Sequence, residues 1–191
     1  MNQSKAKNFE NFFVMLYTGH LILLSPLLFL TDKGDVVLWI NSLHTPQWDV
    51  FFKYATHLGD GILFVPLILI LLFVRFYDAL LALFAAVGHG LIIYIFKKLI
   101  FNNNVAMRPI VFFHDLPTVD LVDGVTLHSY RSFPSGHTTS GFVLALILTI
   151  AVGRKSWAVL FWMIALVVGL SRIYLLQHFF IDAYTGSAIA I

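Results

Sequence analysis

The chain contains no cysteine and few charged residues. Of its 191 residues, 12% are charged and 59% are hydrophobic, and the mean hydropathy is +0.86. The absence of cysteine excludes a disulfide framework and thiolate chemistry. The formal net charge of +2, spread over scattered basic residues, excludes nucleic acid as a partner. This composition is typical of an integral membrane protein rather than a soluble domain.

The hydrophobic residues are concentrated in long runs without charge. Five such runs are complete, at 12–30, 61–74, 79–96, 138–153 and 156–171. The runs are continuously apolar rather than alternating, which favours helices over strands, and a bilayer core of about 30 Å requires about 20 helical residues. We therefore predict an all-α polytopic membrane bundle of about six transmembrane helices, forming a single domain over 1–191. The sixth run, 183–191, is too short to span, so we expect the last helix to be truncated at the C-terminus.

The basic residues near the ends of the runs bear on orientation. With a cytoplasmic N-terminus, five lie inside: Lys5, Lys7, Arg75, Arg154 and Lys155. Seven lie on the opposite side: Lys33, Lys53, Lys97, Lys98, Arg108, Arg131 and Arg172. This count agrees with the positive-inside rule only if the last five belong to a functional site. We expect the N-terminus inside and the site on the outer face.

Polar residues collect at the ends of the apolar runs. In an up-and-down bundle, the end of the third run, the start of the fourth, the end of the fifth and the start of the sixth share one side. These ends contain Lys97 with Lys98, SFPSGH at 132–137, Ser171 with Arg172, and His178 with Asp182. The loop 101–133, which includes Arg108, crosses the same side. The pattern predicts a site at one membrane face.

These residue types are suited to phosphoryl transfer, which requires fixed cationic donors, a nucleophile and a proton for the leaving oxygen. Arg108 and Arg172 offer bidentate donors, and Lys97 offers a compact positive charge. We expect Ser135 to cap the fourth helix, and the amides of Ser135, Gly136 and His137 to face an anion at the helix N-terminus.

His178 and Asp182 are four residues apart, so we expect them on one helical face. There the carboxylate can accept a hydrogen bond from one ring nitrogen and leave the other to attack phosphorus. His137 then remains as the general acid that protonates the departing oxygen.

Two of these segments resemble the signatures of a known family. PSGH at 134–137 and SRxxxxxHxxxD at 171–182 match, in order and spacing, two of the three motifs of the type 2 phosphatidic acid phosphatase superfamily. The third motif, KxxxxxxRP, ends here at Arg108-Pro109, but Phe101 stands where the lysine is expected. The difference resembles an insertion in FNNNVAM. Lys97 is the favoured lysine, because KKLI resembles the family's continuation, and Lys98 is the alternative.

The resemblance implies a fold, an activity and roles for the matched residues. His178 would form a phosphohistidine, Asp182 would orient it and His137 would be the acid. The phosphate would be bound by the remaining matched residues: Lys97 or Lys98, Arg108, Ser135, Gly136 and Arg172. No metal, other cofactor or obligatory protein partner is implied.

The family's membrane branch acts on lipid phosphates within the bilayer. Its substrates include phosphatidic acid, phosphatidylglycerophosphate, undecaprenyl pyrophosphate and the phosphates of lipid A. In its small size the chain resembles bacterial lipid phosphatases. The resemblance therefore implies a protein of the bacterial cytoplasmic membrane, with its active site facing the periplasm or exterior. Two alternatives remain: a lipid phosphotransferase using the same phosphohistidine, and a non-catalytic transporter coupled to protons or metal.

Other polar residues have simpler interpretations. We expect His20 and His89 to be polar groups bonded within the bundle. His128 and Arg131 precede SFPSGH closely enough to contact a lipid headgroup. The segment 35–52 is predicted to be a loop with an amphipathic stretch on the membrane surface, because Trp39 and Trp48 suit the interface.

Overall fold

The computed structural model of the chain describes residues 3–101, 106–116 and 118–190, with side chains from residue 11 onward. The described residues form ten α-helices: α1 Gln3–Leu24, α2 Leu27–Leu30, α3 Asp35–Asn41, α4 Pro46–Ala55, α5 Phe64–Val74, α6 Phe76–Ile95, α7 Pro109–Phe113, α8 Gly136–Val152, α9 Lys155–Tyr174 and α10 Phe180–Ile189. Two 3₁₀ turns, Thr56–Gly59 and Gly61–Leu63, connect α4 to α5, and a π-helical turn, Phe96–Ile100, extends α6.

The prediction of an all-α bundle is confirmed. Among the described residues β structure is limited to one isolated bridge, between Met107 and Tyr130. Within the part of the chain that the structure describes, three helical stretches are long and apolar enough to cross a membrane: Asn11–Leu30, Phe76–Ile100 and Lys155–Tyr174.

The predicted count of about six spans is not confirmed. A fourth span is present only if the bent pair Pro46–Gly59 and Gly61–Val74, which are inclined by 51°, is counted as one. The predicted second span, 61–74, is therefore only the later half of this pair. Asp60 separates the halves because its backbone is extended (ψ 129°), and its carboxylate accepts a 3.1 Å hydrogen bond from the Ile62 N–H. Helices α8 and α10 are shorter, with 17 and 10 residues.

Helix α8 lies at the centre of the bundle and packs against α1, α6, α9 and α10. Its apolar side chains Phe142, Leu144 and Ile147 are buried. A small residue allows α10 to approach closely, because a Cβ built on Gly186 would lie 2.5 Å from the Ser135 carbonyl oxygen. Close approach at small residues is a common way of packing helices in membranes.

Hydrogen bonds between helices add to this packing. His89 Nε2 lies 3.1 Å from Ser140 Oγ on α8, and His20 Nε2 lies 3.4 Å from Ser187 Oγ on α10. The prediction that His20 and His89 are bonded within the bundle is therefore confirmed.

The segment 35–52 differs from its prediction, because it forms α3 and α4 rather than a surface loop. Val36, Val37 and Ile40 are buried in a second apolar cluster together with residues at the end of α9. Trp39 and Trp48 remain 63% and 49% exposed, as the prediction of an interfacial position requires. Burial of its apolar face against α9 brings α4 beside the end of the bundle where the predicted site residues lie.

Candidate active site

A cavity of about 430 Å³ lies where the predicted residues meet. Its wall includes five of them: Lys97, Arg108, His137, Arg172 and His178. Lys97 comes from the π turn after α6, His137 from the first turn of α8 and Arg172 from the last turn of α9. His178 precedes α10, and Arg108 precedes α7. The ends of four helices and one loop therefore form a single cationic pocket.

Arg108 is held in the pocket by the loop after α7 and by the turn before α10. Its backbone N–H donates to the Ser129 carbonyl at 2.9 Å. Its side chain donates from Nε to the Tyr130 carbonyl at 2.9 Å, and from Nη1 to the backbone carbonyl (3.0 Å) and Oε1 (2.8 Å) of Gln177. Burial lowers the pKa of Arg108 to about 10, with Asp182 opposing the shift. The guanidinium is therefore still cationic at neutral pH.

Arg172 is buried, with 7% of its surface exposed. Its Nη1 donates a 2.8 Å hydrogen bond to Thr56 Oγ1. Its Nε is also buried but has no hydrogen-bond partner among the described residues. A charged donor without a partner is costly inside a protein, so this N–H is suited to an anion in the cavity.

His178 and Asp182 are adjacent, but the predicted geometry is wrong in one respect. Helix α9 ends at Tyr174 and α10 begins at Phe180, so His178 lies in the intervening turn and not on a helical face with Asp182. The left-handed backbone of Leu176 (φ 55°) contributes to this turn. His178 Nδ1 lies 3.5 Å from Asp182 Oδ2, longer than a normal hydrogen bond, and has no hydrogen-bond partner in the described part of the chain.

The Asp182 carboxylate has two other partners. Its Oδ2 accepts from Ser132 Oγ in a short contact, and from the Phe179 N–H at 2.9 Å. The second bond caps the start of α10, because the N–H groups of a helix's first turn have no partner within the helix. Asp182 therefore holds the turn containing His178 as well as facing its ring.

The electrostatics of the cavity favour a neutral His178. Only 1% of its surface is exposed, and this burial lowers the pKa of His178 well below its usual range. The cations Arg108, Arg172 and Lys97 act in the same direction. The imidazole is consequently unprotonated at neutral pH, as a nucleophile must be.

Ser135 caps α8, as predicted: its Oγ accepts from the Thr138 N–H at 3.4 Å and from Thr138 Oγ1 at 2.8 Å. Its backbone amide was expected to face an anion, and this expectation is wrong. The Ser135 N–H donates instead to the Asp182 carbonyl at 3.0 Å, because the start of α10 packs directly beneath it. Neither Ser135 nor Gly136 lines the cavity.

The two candidate lysines occupy different positions. Lys97 lines the cavity and Lys98 does not. The predicted insertion in FNNNVAM falls largely on 102–105, which lie outside the described residues.

Four cavity residues that the sequence did not indicate come from the bent pair: Lys53, Thr56, His57 and Asp60. Gln177 also lines the cavity, as does His128, which the sequence had placed near a headgroup. Of the described residues in this lining, Asp60 alone carries a carboxylate. In the described part of the chain, no group of three or more His, Asp or Glu side chains is arranged to hold a metal ion.

In a helical membrane protein, a pocket in which His137 and His178 lie beside buried arginines is suited to phosphoryl transfer. The sequence model of the PAP2 superfamily matches residues 78–191, more than half of the chain, and the chain belongs to this family. The resemblance in its two motifs is thereby confirmed. The chain is a membrane lipid phosphatase.

Two solved structures are similar to most of the chain. The crystal structure of Aquifex aeolicus LpxE is 28% identical, with a TM-score of 0.70, over 83% of this chain and 90% of that one. A transmembrane PAP2-type phosphatidylglycerolphosphate phosphatase from Bacillus subtilis is 25% identical, with a TM-score of 0.66, over 97% and 90%. Among curated protein sequences, none matches the chain.

Proposed function

We propose that the chain hydrolyses a lipid phosphate or pyrophosphate through a phosphohistidine on His178, without a metal ion. The observation that carries this proposal is the cavity wall, where His178 and His137 lie among cations that include Lys97, Arg108 and Arg172. Phosphoryl transfer depends on charges and donors that are already in place when charge develops on the equatorial oxygens.

The proposed reaction has two steps. Asp182 faces Nδ1 of His178, which leaves Nε2 to attack phosphorus. Burial and the neighbouring cation Arg172 lower the pKa of His137 to about 4, so in this proposal the negative charge of the bound phosphate raises that pKa and protonates the ring. The bond from phosphorus to the leaving oxygen then breaks, and His137 supplies the proton that this oxygen needs. A water molecule then attacks the phosphohistidine, with His137 accepting its proton, and inorganic phosphate leaves.

Lys97, Arg108 and Arg172 would bind the phosphate oxygens during both steps. The Nε of Arg172, buried without a partner, is the donor most in need of an anion. The amide of His137, in the first turn of α8, would add a donor at the positive end of the helix dipole, whereas Gly136 lies outside the cavity wall. Ser135 would contribute by capping that helix.

The proposed substrate is a membrane lipid whose phosphate lies at the bilayer surface. Trp39 on α3 and Trp48 on α4 are suited to the membrane interface, and α4 also contributes Lys53 to the cavity wall. The candidates are phosphatidic acid, phosphatidylglycerophosphate, undecaprenyl pyrophosphate and lipid A phosphates. We place the reaction at the outer face of a bacterial cytoplasmic membrane, since a cytoplasmic N-terminus puts the cationic site outside.

The proposal is tested by phosphate release from this lipid panel, using the purified protein in detergent with EDTA. We expect release that vanadate inhibits, that survives EDTA and that disappears in His178→Asn. The matched control is His114→Ala, a substitution of a half-exposed histidine that contacts Asp115. Rapid quenching should trap a labelled phosphoenzyme with the wild type and not with His178→Asn. The label on the wild type should be released by acid, as expected of a phosphohistidine.

Three results would contradict the proposal. Loss of activity in EDTA would exclude the metal-independent mechanism, and turnover by His178→Asn would exclude the nucleophile. Transfer of the phosphate to an added alcohol headgroup in preference to water would favour the phosphotransferase alternative.

A further inference from the structure

Each of the two buried arginines in the cavity is bound by an uncharged residue that the family motifs do not specify. Arg172 Nη1 donates to Thr56 Oγ1 at 2.8 Å. Arg108 Nη1 donates to Gln177 Oε1 at 2.8 Å and to the Gln177 carbonyl at 3.0 Å. Both arginine residues are only 7% exposed. The orientation of each planar cation is therefore set by neutral acceptors, which for Arg108 also include the Tyr130 carbonyl bound by Nε.

The position of Thr56 is fixed by its backbone and by the packing of its turn. It lies at the start of the 3₁₀ turn Thr56–Gly59, and its N–H bonds back into α4. The same turn contacts α8 and α9, and a Cβ on Gly59 would lie 2.5 Å from the His137 carbonyl oxygen. The bend in the broken helix pair thus contacts both the proposed acid and the arginine.

The Gln177 side chain also makes a hydrogen bond through its amide nitrogen. Its Nε2 donates to the Thr126 carbonyl at 3.0 Å, which connects Arg108 to the loop over the cavity. This bond also determines that Oε1 faces the guanidinium, since the amide must donate from its nitrogen.

We infer that Thr56 and Gln177 are positioning residues, which orient Arg172 and Arg108 toward the phosphate oxygens without offsetting their charge. A carboxylate in either position would neutralise the arginine and repel the anion, whereas a hydroxyl or amide oxygen fixes the plane of the guanidinium alone. This inference rests on the proposed function, because the phosphate is the ligand that the arginines are oriented to bind.

The test uses the intact protein in detergent and the lipid from the panel that the wild type hydrolyses. We expect Thr56→Val and Gln177→Met each to raise the inhibition constant of vanadate and to lower kcat/KM by about 10-fold, the effect of losing one hydrogen bond to a charged group. Thr56→Ser, which keeps the hydroxyl, should restore both values to within about twofold of wild type. Thr149→Val is the matched control, because Thr149 is a buried threonine whose hydroxyl bonds only within α8.

A coupling experiment separates positioning from general support of the fold. If Thr56 acts through the guanidinium, the effect of Thr56→Val should largely disappear when Arg172 is already lysine, which cannot present the same planar donors. The same holds for Gln177→Met with Arg108→Lys. Thermal midpoints measured alongside show whether any variant has failed to fold.

The inference is overturned if Thr56→Val leaves vanadate inhibition unchanged, if Thr56→Ser fails to restore it, or if the loss is as large in the Arg172→Lys background. A loss of equal size in Thr149→Val would likewise overturn it. Failure of the proposed function is distinguishable, because then the wild type itself would show no vanadate-sensitive phosphate release from any lipid tested.

Discussion

The backbone N–H of Ser135 donates a 3.0 Å hydrogen bond to the carbonyl of Asp182, which joins the two sequence motifs directly. The Asp182 carboxylate reaches the same segment through Ser132 Oγ. One residue therefore holds the entrance to α8 with its main chain and its side chain, while it faces the ring of His178 at 3.5 Å. The two histidines of the proposed reaction are positioned relative to each other by these contacts.

We expect Asp182→Asn to lower kcat by about 100-fold or more with little change in KM, because an amide cannot orient and stabilise the imidazole as a carboxylate does. The variant should also lose about 1 kcal/mol of stability, since the carboxylate caps α10. Steady-state kinetics and thermal unfolding measure the two effects. Asp115→Asn, at an exposed carboxylate, is the control and should change neither. A rise in KM with unchanged kcat would assign Asp182 to substrate binding instead.

Replacing Lys97 and Lys98 one at a time should show which of them binds the phosphate. Lys97→Met is expected to lower kcat/KM by at least about 10-fold, because Lys97 lines the cavity and its ammonium would contact the phosphate. Lys98→Met should stay within about twofold of wild type, since Lys98 lies outside the cavity wall. The two variants replace neighbouring lysines by the same residue, so each removes one positive charge. A difference in kcat/KM between them therefore reports on position and not on net charge. The opposite ranking would assign the motif lysine to position 98.

Gly186→Ala should destabilise the protein by about 1–3 kcal/mol and reduce activity. The new Cβ would lie 2.5 Å from the Ser135 carbonyl oxygen and 3.2 Å from Thr139 Oγ1, so α10 would have to move away from α8. Gly88→Ala is the matched control, because nothing lies within 4 Å of a Cβ there. Alanine is also the better helix former, so this control should unfold at the same temperature or higher. Equal behaviour of the two variants would argue against close packing at Gly186.

The burial of His178 should make stability depend on pH. Its pKa lies well below the usual value in the folded protein and returns to about 6.5 on unfolding. Below that pH the unfolded chain binds more protons than the folded one, so stability falls as the pH decreases. We expect the thermal midpoint of the wild type to fall more steeply between about pH 7 and pH 5 than that of His178→Asn. Parallel curves would show that His178 makes no such contribution.

The sequence by itself determined the class of fold and most of the proposed chemistry. Continuous apolar runs leave helices as the stable form in a membrane, because every backbone polar group must bond within its own segment. The spacing of PSGH and of SRxxxxxHxxxD then identified His137, Arg172, His178 and Asp182 as candidates. Local pattern is sufficient where function requires particular residue types at fixed separations.

Only the tertiary structure decided which further residues reach the cavity and how the pieces are oriented. Thr56 is 116 residues from Arg172 in sequence, and no periodicity relates the two. The sequence also did not predict the turn before α10. The four-residue spacing of His178 and Asp182 indicates a continuous helix, but the backbone at His178 is not helical. Such contacts depend on how α4, α8 and α9 pack, and packing is set by the shapes of all the buried side chains together rather than by any local segment.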